Sequence, residues 1–344
     1  MKETILVTGG TGFIGSHTTV ELQNAGYEVV IVDNLSNSNA DVIDGIEKIT
    51  GRRPFFEKVD LRDYDATEAV FKKYPAISGI IHFAASKAVG ESVEKPLMYY
   101  SNNIISLVNL LELMPKYDVK GIIFSSSCTV YGQPDVLPVT EESPIKKAES
   151  PYGNTKQINE EIIQDTIKSG SPIKSIILRY FNPIGSHPTA IIGEMPNGVP
   201  QNLIPFLTQT AIGIRERLSV FGDDYDTPDG SCIRDYIYVV DLAKAHVSAM
   251  TRIMEDQIEQ PVEIYNIGTG KGTSVLELIH AFEKATGVKL NYKIVGRRAG
   301  DIEKVWGNVD KANEKLGWHA DTPLEEVLST AWKWQLALRE RGIM

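Results

Sequence analysis

A glycine-rich turn near the start of the chain restricts the possible folds more than any other segment. It follows a β-rich run, Ile5–Val7, and leads into a helical pattern near Ser16–Ala25. Gly9, Gly12 and Gly15 have the GxxGxxG spacing of a Rossmann fingerprint. Such glycines permit a tight turn, close approach of a pyrophosphate and close packing of helix on strand. The helix N-terminus offers N–H groups and a positive dipole end to phosphates. The order strand, turn, helix therefore predicts a dinucleotide site rather than an ordinary βα turn.

The first half of the chain alternates between β-rich runs and helical patterns. This alternation predicts βαβ units and a Rossmann-type, doubly wound parallel sheet of the α/β class. The central runs are continuously apolar, as expected of strands that helices cover on both faces. The other β-rich runs are Glu28–Val32, Gly79–Phe83, Ile122–Phe124 and Ser175–Leu178, and the other helical patterns lie near Ala66–Tyr74, Tyr99–Met114 and Tyr152–Ile167.

The pattern changes at about Phe181. The stretch Asn182–Gly198 is rich in Gly, Pro and His, and is predicted to be a long ordered loop. A smaller α/β part follows, and we expect it to lie over the carboxyl edge of the sheet, where ligands bind in such folds. The chain of 344 residues is thus expected to form a dinucleotide-binding Rossmann domain over residues 1–181. A smaller C-terminal α/β substrate domain is expected over 182–344, with part of 235–268 packing back onto the first.

Asp33, at the end of the second β-rich run, indicates which dinucleotide is bound. A carboxylate there accepts hydrogen bonds from the ribose hydroxyls of adenosine and would repel a 2′-phosphate. NAD is favoured over NADP because no arginine that could hold such a phosphate occurs among the next residues, Asn34, Leu35, Ser36, Asn37 and Ser38. A turn cap at the strand end is the alternative role for Asp33.

Two further segments are expected at the same site. Asp60 and Leu61 follow an extended run and are placed to meet the adenine end of the dinucleotide. Small residues at the end of the fourth strand would let the pyrophosphate lie against the backbone, although plain packing also explains the alanines. This segment consists of Phe83, Ala84, Ala85, Ser86 and Lys87.

A Tyr-x-x-x-Lys pair, Tyr152 and Lys156, is predicted to be catalytic. Their separation places both side chains on one face of a helix, one turn apart. A tyrosine base near neutrality needs its pKa lowered by roughly 3 units from ~10, about 4 kcal/mol. A nearby ammonium and a positive nicotinamide ring can supply this stabilisation. Ser127, the last of three serines after Ile122–Phe124, is predicted to hydrogen-bond the substrate oxygen that loses its proton. One or two of these serines are expected only to cap a turn.

The charge balance and cysteine content limit the possible partners. The chain carries 35 basic and 45 acidic residues and no Lys/Arg run, which argues against nucleic acid as the main partner. Its two cysteines, Cys128 and Cys232, lack metal-ligand spacing and are too few for a disulfide framework. We expect free thiols in a reducing compartment and no metal site. Without a signal-peptide pattern or an apolar run of ~20 residues, a cytoplasmic protein that does not bind membranes is expected.

These motifs resemble those of the extended short-chain dehydrogenase/reductase family. Within that family, the chain is similar to the UDP-glucose (UDP-galactose) 4-epimerases almost from end to end. The segments that carry the resemblance are highly specific in combination. They are Val7–Gly15, Ile81–Lys95, Phe124–Gly132, Ser150–Lys156, Leu178–Gly185, Ile233–Asp241, Arg297–Asp301 and Val305-Trp306.

The resemblance implies a set of ligand contacts. NAD would be held by the glycine turn with Phe13 and Ile14, by Asp33 to Ser38, Asp60, Leu61, Phe83 to Lys87, Asn102 and Phe181, and by the catalytic trio. The UDP-sugar would contact Lys87, Ser127, Tyr152, Asn182, Asn202, Leu203, Ser219, Val220, Phe221, Arg234, Arg298, Asp301 and Val305. From the residues alone, Arg234 and Arg298 are forked cations suited to a pyrophosphate and Asp301 is suited to ribose hydroxyls. Solvated surface positions are the alternative.

The implied reaction interconverts UDP-glucose and UDP-galactose through transient oxidation at C4. Tyr152 takes the O4 proton, Ser127 supports that oxygen, and the C4 hydride passes to NAD. The 4-keto sugar turns over while UDP stays anchored, and hydride returns to its other face. The closest alternative is a nucleotide-sugar 4,6-dehydratase, which needs carboxylates where this chain has Cys128 and Thr129. A decarboxylase, a net dehydrogenase and a non-catalytic NAD-sensing module are further alternatives.

Val305 departs from the pattern of relatives that are restricted to plain hexoses. Those relatives carry a tyrosine at this place, and a small residue there goes with a roomier sugar pocket. The departure therefore predicts that UDP-GlcNAc and UDP-GalNAc are also interconverted.

The resemblance also implies a homodimer. The helices near Tyr99–Met114 and Tyr152–Ile167 would pair with those of a second chain as a four-helix bundle. Their periodicity shows only that they have apolar faces, which core packing explains equally well.

Overall fold

The described residues of the computed structural model, 3–298 and 301–343, form alternating strands and helices. Ala299 and Gly300, inside the Arg297–Asp301 run, lie outside them. The strands are β1 (Thr4–Thr8), β2 (Glu28–Asp33), β3 (Phe55–Lys58), β4 (Ile77–His82), β5 (Gly121–Ser127), β6 (Lys174–Tyr180), β7 (Asn182–Ile184), β8 (Leu218–Phe221), β9 (Ile233–Arg234), β10 (Tyr236–Tyr238), β11 (Val262–Ile267), β12 (Thr273–Ser274), β13 (Tyr292–Val295) and β14 (Lys304–Val305).

The helices follow the same order along the chain. They are α1 (Phe13–Asn24), α2 (Asp41–Thr50), α3 (Tyr64–Lys73), α4 (Val89–Glu94), α5 (Pro96–Leu113), α6 (Pro151–Lys168), α7 (Leu203–Ala211), α8 (Val239–Met254), α9 (Val275–Thr286), α10 (Asp310–Leu316) and α11 (Leu324–Glu340). Two short 3-10 helices, Met114–Tyr117 and Cys128–Tyr131, follow α5 and β5. None of these described helices is both long and apolar enough to cross a membrane.

A parallel sheet of seven strands forms the centre of the described chain. Its order is β3-β2-β1-β4-β5-β6-β11, and every neighbouring pair is parallel. This is the doubly wound Rossmann order, so the predicted fold class is confirmed. The strand order reverses between β1 and β4, and ligands bind at the carboxyl ends of strands beside such a reversal.

Alternate residues of β1 point to opposite faces of the sheet and build two separate core layers. Ile5 and Val7 belong to the layer that includes buried residues of α1 and α8. Leu6 belongs to the layer that includes buried residues of α3, α5 and α6. All residues of β1 are buried, which agrees with the continuous apolar run in the sequence. Packing on both faces therefore fixes the positions of the strand ends.

The last strand of the sheet comes from the C-terminal half of the chain. β11 pairs in parallel with β6, and α8 precedes it. A buried bidentate ion pair joins α8 to β11, because Arg252 Nε lies 2.7 Å from Glu263 Oε2 and Nη2 lies 3.0 Å from Oε1. The Tyr265 hydroxyl also donates to Glu263 Oε2, at 2.7 Å. Residues far beyond position 181 thus complete the first sheet.

A second group of elements follows β6. There β8 pairs with β13, β9 lies between β12 and β14, and β7 pairs with β10. Buried residues of α7, α9 and α11 form a separate core with these strands, among them Leu207, Phe282 and Leu328. The stretch Asn182–Gly198, predicted to be a loop, contains β7 and is otherwise irregular. Because β7 begins two residues after β6, this group is attached directly at the carboxyl edge of the sheet.

Candidate active site

The glycine-rich turn forms a tight cradle between β1 and α1. Gly9 has a φ of +69°, which favours glycine. A Cβ on Gly15 would lie 2.3 Å from the Gly9 carbonyl oxygen, so only glycine lets the helix begin this close to the turn. Among described atoms, a Cβ on Gly12 would meet only that same oxygen, at 3.1 Å, so the turn is open on this side. No side chain caps α1, which starts at Phe13 and Ile14. The cradle therefore fits a pyrophosphate.

Asp33 is buried at the end of β2, and hydrogen bonds engage both of its carboxylate oxygens. Leu35 N donates to Oδ1 at 2.9 Å, and Ser38 Oγ donates to the same atom at 3.0 Å. Thr11 N donates to Oδ2 at 3.3 Å, which ties the glycine turn to the carboxylate. These bonds fold the loop Asn34–Ser38 around Asp33. Each carboxylate oxygen has two acceptor sites, so one site remains on Oδ2 for a ribose hydroxyl.

The end of β3 adds Asp60 and Leu61 to this region. Val59 N donates to the Asp33 carbonyl oxygen at 3.2 Å, which brings the two strand ends together. Leu61 is buried, whereas Asp60 is partly exposed and pairs with Arg62 at 2.6 Å. Hydrogen bonds from Arg62 hold the pKa of Asp60 below its usual value. Because Asp60 neutralises it, Arg62 is not a free cation for a 2′-phosphate.

The segment after β4 is fixed by Asn103, a residue that the sequence did not reveal. Asn103 is buried on α5, where its Oδ1 accepts from Ser86 N at 2.8 Å and its Nδ2 donates to Ser86 O at 3.0 Å. One side chain thus satisfies both backbone groups of a loop residue. The predicted Asn102 donates to Ser86 Oγ at 3.3 Å. A pair of consecutive asparagines facing a loop of small residues is the only sequence signal for this role.

Phe83 and Ala84 link the glycine turn to a buried histidine. A Cβ on Gly9 would lie 2.8 Å from Ala84 N, so this segment packs directly against the turn, as expected. The Phe83 ring centre lies 4.7 Å from that of His246, and the Tyr180 ring centre lies 5.9 Å from it. Burial lowers the pKa of His246 to about 4, although a hydrogen bond with a helix carbonyl opposes the shift. The floor of the site therefore contains a neutral imidazole.

Ser127, Tyr152 and Lys156 converge at the carboxyl end of β5. Ser127 is the last residue of that strand, and Tyr152 and Lys156 lie one turn apart at the start of α6, which the Ser150 side chain caps. Lys156 Nζ donates to the Ser125 carbonyl oxygen at 2.6 Å and lies 5.8 Å from the centre of the Tyr152 ring. The Ser127 side chain lies close enough to Tyr152 to lower the pKa of its phenol. The structure therefore brings the predicted trio together.

Burial is the largest influence on the pKa values of the predicted catalytic pair, Tyr152 and Lys156. It raises the pKa of Tyr152 well above the ordinary value, Tyr180 raises it further, and the hydrogen bond with Ser127 opposes both. Burial also lowers the pKa of Lys156 to about 8, while Glu160 acts in the opposite direction. The lysine ammonium alone therefore does not offset the burial of the phenol. Tyr152 becomes a base near neutrality only when further positive charge lies beside it.

Arg234, Arg298 and Asp301 form a second charged group. Arg298 Nη2 lies 2.6 Å from Asp301 Oδ1, and Nε lies 3.1 Å from Oδ2. Arg234 Nη2 lies 3.7 Å from Asp301 Oδ1. Two guanidinium groups thus converge on one carboxylate and leave a net positive charge, which suits a pyrophosphate. The ring of Phe221 lies beside Arg298, with 5.3 Å between Cζ and the ring centre.

The three predicted ligand contacts on β8 differ in their exposure to solvent. Val220 is buried in the core of the second group, whereas Ser219 is half-buried and Phe221 is exposed. Val220 can therefore reach a ligand only through its backbone. This alternation follows from the pleat of a strand that is covered on one face.

The predicted Lys87 and Asn202 both contact Glu194, which the sequence did not reveal. Lys87 Nζ lies 3.3 Å from Glu194 Oε1, and Asn202 Nδ2 donates to the same oxygen at 2.6 Å. Asn202 precedes α7, which begins at Leu203, and the exposed Asn182 begins β7. Glu194 thus connects the segment after β4 to the second group of elements.

Val305 lies in a small apolar cluster behind the catalytic strand end. Its side chain is 2% exposed and packs in a cluster with Val139 and Phe181, a predicted NAD contact. The partly buried Cys128 packs against the same cluster and directly follows Ser127 in the chain. Residue 305 and the residue that follows the predicted catalytic serine therefore belong to one apolar cluster.

Similar proteins share both the fold and the length of this chain. A family model described as GDP-mannose 4,6 dehydratase matches residues 6–331. UDP-glucose 4-epimerase 2 of Arabidopsis thaliana is 50% identical over 97% of this chain and 95% of its own length. The UDP-glucose-4-epimerase of Stenotrophomonas maltophila, solved with bound NAD and formylated UDP-arabinopyranose, has a TM-score of 0.95 and 44% identity, covering 98% of this chain and 99% of its own. That of Bifidobacterium longum, in complex with NAD+ and UDP, has a TM-score of 0.92 and 46% identity, covering 97% and 98%.

The Rossmann sheet and the Ser-Tyr-Lys group define an enzyme of the short-chain dehydrogenase/reductase class. Identity near one half over almost the full length then narrows the class. The chain belongs to the family of UDP-glucose 4-epimerases, and the resemblance expected from its sequence is confirmed.

The buried His246 makes the protein sensitive to acid, and replacing it should reduce this sensitivity. The pKa of His246 is about 4 in the folded chain against ~6.5 when unfolded. Between these values only the unfolded chain takes up the proton, so stability is lost as pH falls. From pH 6.5 to 4.5, the free energy of unfolding should fall by about 2 kcal/mol less in His246→Leu than in the wild type. Urea denaturation at both pH values measures the difference.

The exposed His280 on α9 provides the control. His280→Leu should leave the pH dependence of stability as it is in the wild type. Equal losses of stability in all three proteins would contradict the assignment of acid sensitivity to His246.

Proposed function

We propose that this chain is an NAD-dependent UDP-hexose 4-epimerase, an isomerase that interconverts UDP-glucose and UDP-galactose. One arrangement carries the proposal. The open glycine cradle after β1 and the group of Ser127, Tyr152 and Lys156 after β5 lie at the same carboxyl edge of one parallel sheet. The names of the relatives, UDP-glucose 4-epimerases of similar length, support the same activity.

NAD is the proposed cofactor because the residues of the cradle suit it. The N–H groups at the start of α1 would bind its pyrophosphate, and Asp33 would accept hydrogen bonds from the adenosine ribose. When bound, NAD accepts and returns the hydride at C4 of the sugar. The other proposed contacts are Asn34–Ser38, Asp60, Leu61, Phe83–Lys87, Asn102 and Phe181. The pairing of Arg62 with Asp60 disfavours a 2′-phosphate and hence NADP.

Tyr152 would remove the proton from O4 of the sugar. In the protein alone, burial keeps its phenol protonated. Positive charge beside the ring lowers the pKa, so the base forms only in the filled site. Lys156, held by the Ser125 carbonyl oxygen, supplies part of that charge. Ser127 lies beside Tyr152 and would bind the same substrate oxygen.

The UDP moiety is the proposed ligand of the second charged group. Arg234 and Arg298 would bind the pyrophosphate, and Asp301 would accept hydrogen bonds from the uridine ribose. Such remote anchors can hold the nucleotide while the sugar turns over. We propose that residues 1–181, with part of 235–268, serve the cofactor and that 182–344 serve the UDP-sugar. The proposed contacts there also include Asn182, Asn202, Leu203 and the β8 residues Ser219, Val220 and Phe221.

The alternative activity is that of a 4,6-dehydratase, which the description of the matching family model names. Elimination of water needs an acid and a base near C5 and C6, and Ser127 is followed by Cys128 and Thr129. Burial raises the pKa of the Cys128 thiol to about 12, so it is a poor general base at neutral pH. The residues after β5 therefore favour the epimerase.

Purified protein incubated with UDP-galactose and no added cofactor should form UDP-glucose, as followed by NMR. Tyr152→Phe should lower kcat at least ~100-fold, since it removes the general base, while UDP binding persists because the arginines are intact. Tyr117→Phe, outside the site on the 3-10 helix after α5, is the control and should retain wild-type kcat. No conversion even with added NAD, or full activity in Tyr152→Phe, would refute the proposal.

We further propose that the enzyme interconverts UDP-GlcNAc and UDP-GalNAc. Support comes from the small volume of Val305 and its place in the cluster with Cys128 and Phe181. A tyrosine would not fit within this cluster, since interiors are packed to near crystalline density. It would have to displace its neighbours or enter the sugar site.

Val305→Tyr should lower kcat/KM for UDP-GalNAc at least tenfold and change that for UDP-galactose less than threefold, because only the N-acetyl group needs the extra room. Parallel NMR assays with both substrates measure the ratio. Val305→Leu, a smaller increase in volume, is the control and should retain both activities. Equal loss of both activities would indicate general overpacking, and no loss of either would remove the pocket hypothesis.

A homodimer is also proposed, through the outer face of α4, α5 and α6. Four apolar side chains on α4 and α5 are exposed: Val89, Val93, Leu97 and Ile105, of which Leu97 is 82% exposed. Val89 and Val93 lie one turn apart on α4, and Leu97 and Ile105 lie on α5, which begins two residues after α4 ends. A cluster of this kind on a soluble protein marks an interaction surface. Two such α5–α6 units facing each other would form a four-helix bundle.

Leu97→Glu should convert the dimer to a monomer at micromolar concentration, because it places a charge at the most exposed of these apolar side chains. Sedimentation velocity gives the mass. Val136→Glu, which changes a side chain that is 75% exposed and belongs to none of these helices, is the control and should remain a dimer. A wild-type protein that sediments as a monomer would contradict the proposal.

A reducing, cytoplasmic location is the last part of the proposal. Its support is that Cys128 and Cys232 are free thiols in the structure. Free cysteines are kept reduced in the cytosol by glutathione and thioredoxin.

A further inference from the structure

A buried ion pair lies directly behind the catalytic strand end. Arg179 Nη2 on β6 lies 2.6 Å from Glu160 Oε2, and its Nε lies 3.0 Å from Oε1. Both side chains are at most 5% exposed. Ser126 Oγ donates to Glu160 Oε1 from the neighbouring strand. Ser126 and Arg179 are cross-strand partners, so they approach Glu160 from the same face of the sheet.

The three consecutive serines at the end of β5 thus make three different sets of contacts. Ser125 bonds to the Tyr180 hydroxyl through its side chain and accepts from Lys156 through its carbonyl oxygen. Ser126 is held by Glu160. Ser127 is left to face Tyr152. A strand end tethered at two successive residues holds the third in one place.

Glu160 also follows Lys156 by four residues on α6, so the two side chains lie on one face of the helix. The carboxylate is therefore shared by the strand that carries Ser127 and the helix that carries Tyr152 and Lys156. A buried ion pair contributes little net stability compared with apolar packing. Stability alone therefore does not explain why a buried ion pair lies at this position.

We propose that Glu160, with Ser126 and Arg179, is a positioning unit for the catalytic trio, which fixes Ser127 relative to Tyr152 and stabilises the charged form of Lys156. The inference rests on the proposed epimerase function. Glu160 touches no substrate and acts through its neighbours. The charge of Arg179 compensates that of Glu160, so the unit does not add net charge to the core.

Among the described titratable groups near Lys156, Glu160 is the one whose charge opposes the effect of burial on the pKa of the lysine. Its own helix α6 contributes Tyr152 and Glu160. Burial and Lys156 lower the pKa of His82 on β4 to about 3, so this imidazole is neutral. The remaining titratable or charged groups near the trio are Tyr99 on α5, Arg179 and Tyr180 on β6, and Cys128 and Tyr131 on the 3-10 helix after β5.

The test compares Glu160→Gln with Glu263→Gln in the holoenzyme. Glu263 forms the chain's other buried bidentate pair described here, with Arg252, and belongs to α8 and β11 rather than to the site. Each variant removes the bidentate carboxylate from a buried arginine, so both should lower the midpoint of urea unfolding, although Arg252 keeps an ion pair with Glu259 at 3.4 Å. Only Glu160→Gln should shift the pH profile of kcat, toward lower pH by roughly one unit, because losing a negative charge lowers the pKa of ammonium and phenol alike.

Ser126→Ala keeps both charges and tests the positioning role if Glu160→Gln does not fold. It should lower kcat for UDP-galactose about tenfold, since small misplacements of catalytic groups are costly. KM should stay within twofold, because the Ser126 side chain bonds to Glu160 and not to the proposed nucleotide anchors Arg234 and Arg298.

The outcomes separate the inference from the function on which it rests. A wild-type enzyme without epimerase activity would overturn the proposed function, and this inference with it, before any variant is compared. An active wild type with the pH profile of Glu160→Gln unchanged, or with kcat of Ser126→Ala unchanged, would overturn the inference alone. A matching shift in the pH profile of Glu263→Gln would also overturn it, since the shift would then reflect lost stability.

Discussion

The approach of Gly15 to the carbonyl oxygen of Gly9 decides where the rest of the site can lie. It lets α1 begin immediately after β1, so the helix N-terminus stands at the carboxyl edge of the sheet. Asp33 is tied to the same turn through Thr11 N, and Ala84 packs against it from the next strand. The ends of three strands are therefore positioned by one close backbone contact. A side chain at position 15 would displace the helix, and the ends of the three strands would no longer be held by the same contact.

Local motifs predicted those parts of the site that are formed by residues close to each other in the sequence. The glycine turn, Asp33, and Tyr152 with Lys156 each need only a strand or helix of known direction, and the structure has these elements where they were expected. Short elements with weak patterns escaped detection. Strand β3 is largely exposed at the sheet edge, so it lacks the apolar run that marked the central strands. The alternation within β8, which hides Val220, is equally a matter of tertiary packing.

Groups that pair across long sequence separations could not be predicted from the sequence. Glu160 and Arg179 meet only because α6 packs on β6, and Glu194 meets Lys87 only because the second group of elements docks at the sheet edge. Asn103 looks like any polar helix residue until its amide is seen to satisfy the loop after β4. Burial is the common reason, because a desolvated polar group must find a partner wherever the fold provides one.

The late arrival of β11 has a consequence for how the protein is made. Until residues 262–267 have been synthesised, β6 has no neighbour on its outer side and exposes a row of unpaired backbone groups. Such an edge can recruit strands from other chains. The first sheet is therefore sealed only after several elements of the second group, from β7 to β10, have been synthesised. Chains that are truncated before β11 would therefore expose the β6 edge and be prone to aggregation.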